Sequence, residues 1–133
     1  MQFRINPDIK AEDVANLRSK AGWGKREDKL EKILGNTYLT VACFDRDRLV
    51  GFVDVISDGI DDALIRNLIV DPDYQRKGVA LKLLSIITKR VREDGIKTIN
   101  VLFEPALKEL YLKAGFTLIC GGIIDNEERP DCL

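Results

Sequence analysis

The chain has 133 residues, of which 45% are apolar and 32% charged, and its formal net charge is −1. That length and mix describe one soluble globular domain over residues 1–133, not a disordered chain, and the near-zero charge argues against nucleic acid as a partner. The apolar runs are far too short to cross a membrane, no signal-peptide core opens the chain, and the absence of histidine removes the commonest general base and any Ser-His-Asp triad.

Gln2 to Ile5 alternates polar and apolar residues and reads as a first strand, closed by Asn6-Pro7-Asp8. Val14, Leu17 and Ala21 recur at helical spacing, which predicts a helix over about Ala11–Lys20 ended by Gly22. Leu30, Ile33 and Leu34 mark a second short helix stopped at Gly35. Trp23, between them, reads as a core plug beneath the two helices. Tyr38–Phe44 and Leu49–Ile56 are β-rich runs around the turn Asp45-Arg46-Asp47-Arg48, a hairpin. The turn at Ser57–Asp62 leads into a strand from Ala63 to Val70, so three antiparallel strands are expected in succession. A helix over Gly78–Asp94 carries Ala80, Leu83, Leu84, Ile87 and Val91 on one face. Thr98–Phe103 follows through that helical crossover and should run parallel to the Ala63 strand. Pro105 opens a short helix holding Tyr111, and Phe116–Ile124 reads as a final strand interrupted by Gly121-Gly122. The tail from Asp125 to Leu133 is polar and acidic.

The most specific chemistry lies at Val70-Asp71-Pro72-Asp73-Tyr74-Gln75-Arg76-Lys77-Gly78-Val79-Ala80. An apolar strand stops at Asp71-Pro72, a polar loop follows, and a glycine opens a long helix. The first N–H groups of a helix lack internal partners and carry partial positive charge, which suits phosphate oxygens. Gly78 and Ala80 allow close approach to the backbone, and Arg76 and Lys77 add cations.

Gln75-x-x-Gly78-x-Ala80, following Val70-x-Pro72-x-Tyr74, resembles the acyl-coenzyme A signature of the GNAT N-acyltransferase superfamily. Ala106-Leu107-Lys108-Glu109-Leu110-Tyr111-Leu112-Lys113-Ala114-Gly115-Phe116 looks like that family's second motif, a short helix ending in Tyr-x-x-x-Gly-Phe. One helix and one strand separate the two, as the family requires. The chain's size and its Gly22-Trp23 segment also resemble small members akin to plant arylalkylamine acetyltransferases.

The resemblance implies an α/β (α+β) domain of three layers, with a mixed, mostly antiparallel central sheet flanked by helices. It implies acetyl-CoA as co-substrate and acyl transfer to a small-molecule or peptide primary amine. The cofactor's diphosphate would meet Gln75, Arg76, Lys77, Gly78, Val79 and Ala80. Its pantetheine arm would pair with backbone groups of Leu68, Ile69 and Val70, as in β-augmentation, and a backbone N–H there would face the thioester oxygen. Trp23 would then border the acceptor site, a second reading beside the core plug. Tyr111 matches the tyrosine that many relatives use to protonate the leaving thiolate, a task that a neutral phenol can perform. The rival reading of Tyr111 is core packing.

The chain departs from its relatives at the base. Where many carry an acid in the strand before the loop, this sequence has Arg66 and Asn67. Asp54, Asp61, Asp62 and Glu104 are the substitute carboxylates. Glu104 also reads as a surface carboxylate capping the helix at Pro105. An ordered-water relay needs no dedicated base. A non-catalytic acyl-CoA-binding or sensing domain is therefore the alternative function. Cys43, Cys120 and Cys132 are odd in number and widely spaced, which fits reduced thiols in the cytoplasm, and no metal-ligand cluster is present. The family usually has one more strand than this chain supplies, and an uncovered sheet edge is a liability. A homodimer is the expected remedy.

Overall fold

The protein is described by a computed structural model over residues 1–127. Strands β1 (Gln2–Ile5), β2 (Leu39–Asp45), β3 (Arg48–Ser57), β4 (Asp62–Val70) and β5 (Thr98–Val101) form one sheet in the order β1-β2-β3-β4-β5. The first four pair antiparallel, and β4 pairs with β5 parallel. Helices α1 (Ala11–Lys20) and α2 (Glu27–Gly35) cover one face, whereas α3 (Val79–Glu93) and α4 (Lys108–Lys113) cover the other. Single 3-10 turns at Pro72–Tyr74 and Pro105–Leu107 precede α3 and α4. The mixed, three-layer α/β architecture is the one expected, and among the described residues no helix is long and apolar enough to cross a membrane.

The larger core lies under α3. Leu83, Leu84, Ile87 and Val91 pack on Val41, Cys43, Val53, Val55, Ala63 and Ile65. Gly51 sets how closely the helix sits. A Cβ there would stand 3.0 Å from Val79 Cγ1 and 3.1 Å from Leu83 Cδ1, so its missing side chain brings the first turn of α3 onto β3. The smaller core joins Val14, Leu17 and Leu30 of α1 and α2 to Phe52 and Ile69.

One extra residue decides the shape of β4. Phe52 pairs with Ile69 and Asp54 with Arg66, so Val53 faces two residues, Asn67 and Leu68. This is a β-bulge, with Asn67 at a left-handed φ of 55°. Asparagine tolerates that region better than other non-glycine residues. Before the bulge, Ala63 and Ile65 face α3; beyond it, Leu68 and Val70 do, and Ile69 turns to α1. Without the insertion, strict alternation would reverse the last three residues.

Three sequence expectations are corrected. Phe116–Ile124 is not a strand: it carries no ladder among the described residues. Strand β5 ends at Val101, short of the expected Phe103, and Gly121 packs so close to Leu102 that a Cβ would lie 2.8 Å from its Cδ2. Ile119, Ile123 and Ile124 are left exposed. Trp23 is not a core plug, since 43% of it is exposed; the Arg18 guanidinium covers its ring instead, at 5.1 Å from the centroid. The expected tail falls partly outside the described residues, Cys132 included.

Asp71 fixes the turn out of β4. Its side chain, 2% exposed, accepts from Lys20 Nζ at 3.0 Å and Arg48 Nη2 at 3.2 Å. It also accepts the Asp73 N–H at 2.9 Å. Burial pushes its carboxyl upward, but the Asp73 amide, Lys20 and Arg48 together outweigh burial, and the net pKa is lowered. A depressed carboxyl stabilises the fold above its unfolded pKa of about 3.9, and that contribution is lost as pH falls through the folded value. Asp71→Asn should therefore cost about 1–2 kcal/mol at pH 7. In urea titrations the difference between parent and variant should shrink below about pH 4; a difference constant down to pH 2 would remove the ionised carboxylate from the account.

Candidate active site

β4 and β5 separate at the bulge. Their pairing runs from Asp62↔Thr98 to Ile65↔Val101 and stops there. Beyond Ile65, β4 stays bonded to β3 through Ile69 and Val70 while β5 leaves. The β5-facing edge of residues 66–70 has no strand partner among the described residues. An extended ligand can take that place by main-chain hydrogen bonds, while Leu68, Ile69 and Val70 keep their side chains in the two cores. The cleft is open and distinct from two cavities elsewhere. One, of about 400 Å³, lies between Asn6, Leu34 and Thr40; the other, of about 380 Å³, lies at the paired end of β4 and β5, by Asp62 and Asn100.

The loop after β4 ends at the N-terminus of α3. Gln75 Nε2 donates to Val70 O at 3.2 Å and ties the loop to the strand end. Arg76 and Gly78 both take left-handed φ, at 63° and 80°. The Gly78 carbonyl accepts the first helical bond, from Lys82 N–H at 3.0 Å. The N–H groups of Val79, Ala80 and Leu81, ahead of it, have no carbonyl within the helix to bond. A Cβ on Gly78 would meet nothing within 4 Å, so the surface above the helix terminus is clear. Arg76 and Lys77 are exposed, and Lys77 Nζ sits 5.3 Å from the centroid of the Tyr74 ring. The donor set, the open approach and the two cations fit a diphosphate.

Tyr111 lies on α4, 3% exposed, in the α3-side core. Its ring stacks on Phe103 at 4.4 Å and meets Phe116 edge-on at 5.7 Å. Both contacts follow from its motif, because the turn after α4 brings Phe116 N–H to Tyr111 O at 3.0 Å. The hydroxyl makes no protein hydrogen bond among the described residues, yet no unpartnered side-chain oxygen is sealed from solvent. The oxygen therefore keeps some contact with solvent although the ring is buried. Burial pushes its pKa upward, which keeps the phenol protonated.

The candidate bases separate. Asp61 and Asp62 are exposed at the far end of β4, roughly 25 Å of strand from Val70. Asp54 is 0% exposed, and its oxygens are taken by Thr37 Oγ1 at 3.1 Å, Asn67 Nδ2 at 3.2 Å and Arg66 at 3.1 Å. Burial pushes its carboxyl up, against the pull of Arg66, Asn67 and Thr37, and the net shift is upward. Glu104 is exposed, makes no side-chain capping bond, and adjoins Phe103, the ring that stacks on Tyr111.

A residue that sequence reasoning passed over completes the cluster. Arg18, 8% exposed on α1, donates from Nη1 to Asn67 Oδ1 at 3.3 Å and from Nε to Gly24 O at 2.7 Å. Thr37, Asp54, Asn67 and Arg18 thus form one chain of bonds across the α1 face of the bulge. The only sequence signal was an arginine on the apolar side of a helix, one position after Leu17.

Residues 5–125 match the family described as an acetyltransferase (GNAT) domain. An uncharacterised N-acetyltransferase, ycf52, of Gracilaria tenuistipitata var. liui is 29% identical over 117 residues, taking in 84% of this chain. The chain spans 64% of that relative's length. A crystal structure of a probable acetyltransferase from meticillin-resistant Staphylococcus aureus, of unknown function, has a TM-score of 0.83 at 27% identity, covering 93% of this chain and 98% of that one. The N-acetyltransferase YhbS of Escherichia coli, solved in complex with CoA, has a TM-score of 0.72 at 25% identity, covering 88% and 68%.

If the α3 terminus holds the diphosphate, Gly78→Asp should weaken CoA binding by more than roughly tenfold, because the new carboxylate repels phosphate at close range. Gly78→Ala is the companion variant; it carries only the left-handed strain, about 1 kcal/mol. Calorimetric titration with CoA decides, and a Gly78→Asp variant that binds as tightly as the parent would place the phosphates elsewhere.

Proposed function

This chain belongs to the GNAT acetyltransferase family, and we propose that it moves the acetyl group of acetyl-CoA to a primary amine by direct attack on the thioester. The parting of β4 from β5 at the Asn67 bulge, beside the free N-terminus of α3, carries this reading. The working unit is a single N-acetyltransferase domain over residues 1–133.

Each requirement of the chemistry has a residue here. The backbone of residues 68–70 lines up the pantetheine arm, and Gln75 to Ala80 take the diphosphate. As the amine nitrogen bonds to the carbonyl carbon, a β4 backbone N–H past the bulge steadies the negative oxygen. The C–S bond then breaks, and Tyr111 gives its proton to the departing thiolate. The attacking nitrogen loses its proton to water ordered near Glu104. Asp54 is assigned to structure, since Arg66, Asn67 and Thr37 occupy it. The acceptor is a small molecule or a peptide amine.

A second copy of the chain is the partner that best covers the outer edge of β5. Sedimentation equilibrium should give twice the 15.0 kDa chain mass; a monomer at tens of micromolar would overturn the dimer. The two described cysteines are free thiols, which supports a reducing compartment such as the cytoplasm.

Thiol release from acetyl-CoA across a panel of amines tests the activity. Tyr111→Phe should lower turnover by roughly tenfold to a thousandfold while CoA affinity stays close to the parent's. With no dedicated base, kcat/KM should rise about tenfold per pH unit and level off at each amine's own pKa. Burial shifts the Tyr111 pKa upward, which favours the protonated acid as pH rises. One shared bend near neutrality, removed by Glu104→Gln, would replace the water relay with a carboxylate base. Tight CoA binding without release from any amine would make the protein a sensor.

A further inference from the structure

Arg18 is a buried cation without a counter-ion. Among the described residues no carboxylate lies within ion-pair distance of it. The nearest buried acid, Asp54, is bound to Arg66 and separated from Arg18 by the Asn67 amide. Its own loop worsens the balance: Lys25 and Arg26 follow Gly24, and Arg26 stands at a left-handed φ of 50°. Burial, and then the charge of Arg26, push the Arg18 guanidinium below the usual arginine value. An unpaired buried charge is costly, so an arginine kept in this state is a place to look for an anionic ligand.

The guanidinium is also fixed and partly open. Nε is pinned to Gly24 O at 2.7 Å, Nη1 to Asn67 Oδ1 at 3.3 Å, and Cζ sits over the Trp23 ring at 5.1 Å from its centroid. Among the described residues Nη2 has no hydrogen-bond partner and no unpartnered side-chain nitrogen is sealed from solvent, so that nitrogen keeps contact with solvent. Arginine presents planar, paired donors that match a carboxylate. Through Asn67 the group touches the bulge at which β4 leaves β5, on the α1 face, whereas the phosphate loop lies beyond Val70. The exposed Trp23 ring adds an apolar wall beside it.

We propose that Arg18 determines acceptor specificity by binding the carboxylate of an amine that carries one, a small amino-acid-type acceptor. This rests on the acyl-transfer reading of the same cleft. It adds the class of amine.

Matched pairs of amines, differing only in a carboxylate, test it: tryptamine against tryptophan, putrescine against ornithine, and ethylamine against β-alanine. In the parent, kcat/KM measured by thiol release and expressed per free, unprotonated amine should favour the carboxylate-bearing member of at least one pair by roughly tenfold or more. Arg18→Met should collapse that ratio toward one, mainly through KM, and Arg18→Lys should restore part of it. A purely structural arginine would lower both members alike and leave the ratio unchanged, which would overturn the proposal. Should Arg18→Met fail to fold, salt decides in the parent: rising ionic strength should weaken the carboxylate-bearing member selectively, and an equal response overturns the proposal. Loss of CoA affinity in Arg18→Met matching its loss of turnover would put the anion on the cofactor and also overturn it. Release with amines but no carboxylate preference sinks this inference alone; no release from any amine sinks the acyl-transfer reading beneath it.

Discussion

A single inserted residue, Asn67, shapes the candidate site. Its left-handed backbone lets β4 stay on β3 while shedding β5. The same insertion reverses side-chain parity, so Leu68 and Val70 reach the α3 core and Ile69 reaches the α1 core. One strand edge is thus left bare without opening either core. Bare edges within a sheet are ordinarily costly because N–H and C=O groups lose their partners; here the loss is confined to the segment where a ligand can supply them.

The bulge is anchored electrostatically. Two buried aspartates bracket it with opposite balances. Asp54 sits deep enough that burial exceeds the help from Arg66, Asn67 and Thr37, and its carboxyl is shifted up. Asp71, two residues past Ile69, gains more from the Asp73 amide, Lys20 and Arg48 than it loses by burial, and is shifted down. Both reach α1, Asp71 through Lys20 and Asp54 through the Asn67–Arg18 bond. The last turn of α1 is therefore clamped to β4 before and after the cleft, and the α1–α2 loop with Trp23 is held beside it. Removing one partner of such a pair generally costs more than the pair contributes, because the other charge stays buried.

The opposite face is shaped by packing. Gly51 admits Val79 and Leu83 at van der Waals limits, which seats the first turn of α3 at the mouth of the cleft. Tyr111 is steadied by Phe103 and Phe116, with its oxygen not sealed from solvent. The unpartnered N–H groups of the α3 terminus and the Tyr111 phenol are thus carried by packed elements on one side of the sheet. The polar network carried by α1 approaches from the other side. The bare edge of β4 lies between them.

Much of this was written locally in the sequence. The strand, Asp71-Pro72 turn, glycine and amphipathic helix each declare themselves through nearest-neighbour chemistry, so the loop after β4 and α3 were legible to within a residue. Tyr111 was legible as part of a motif, since the Phe116 contact depends only on the turn that follows α4. What the tertiary structure alone decided was register and partnership. No local pattern marks the asparagine that becomes a bulge, because the extra residue exists only relative to β3. Phe116–Ile124 has the composition of a strand, but a strand forms only where an edge offers a ladder, and β5 stops at Val101. Trp23 looks like core by composition, yet Arg18 reaches it before the core does. Arg18 itself is one basic residue among 21 in the sequence; only the fold buries it, ties it to the bulge and leaves it without a carboxylate among the described residues.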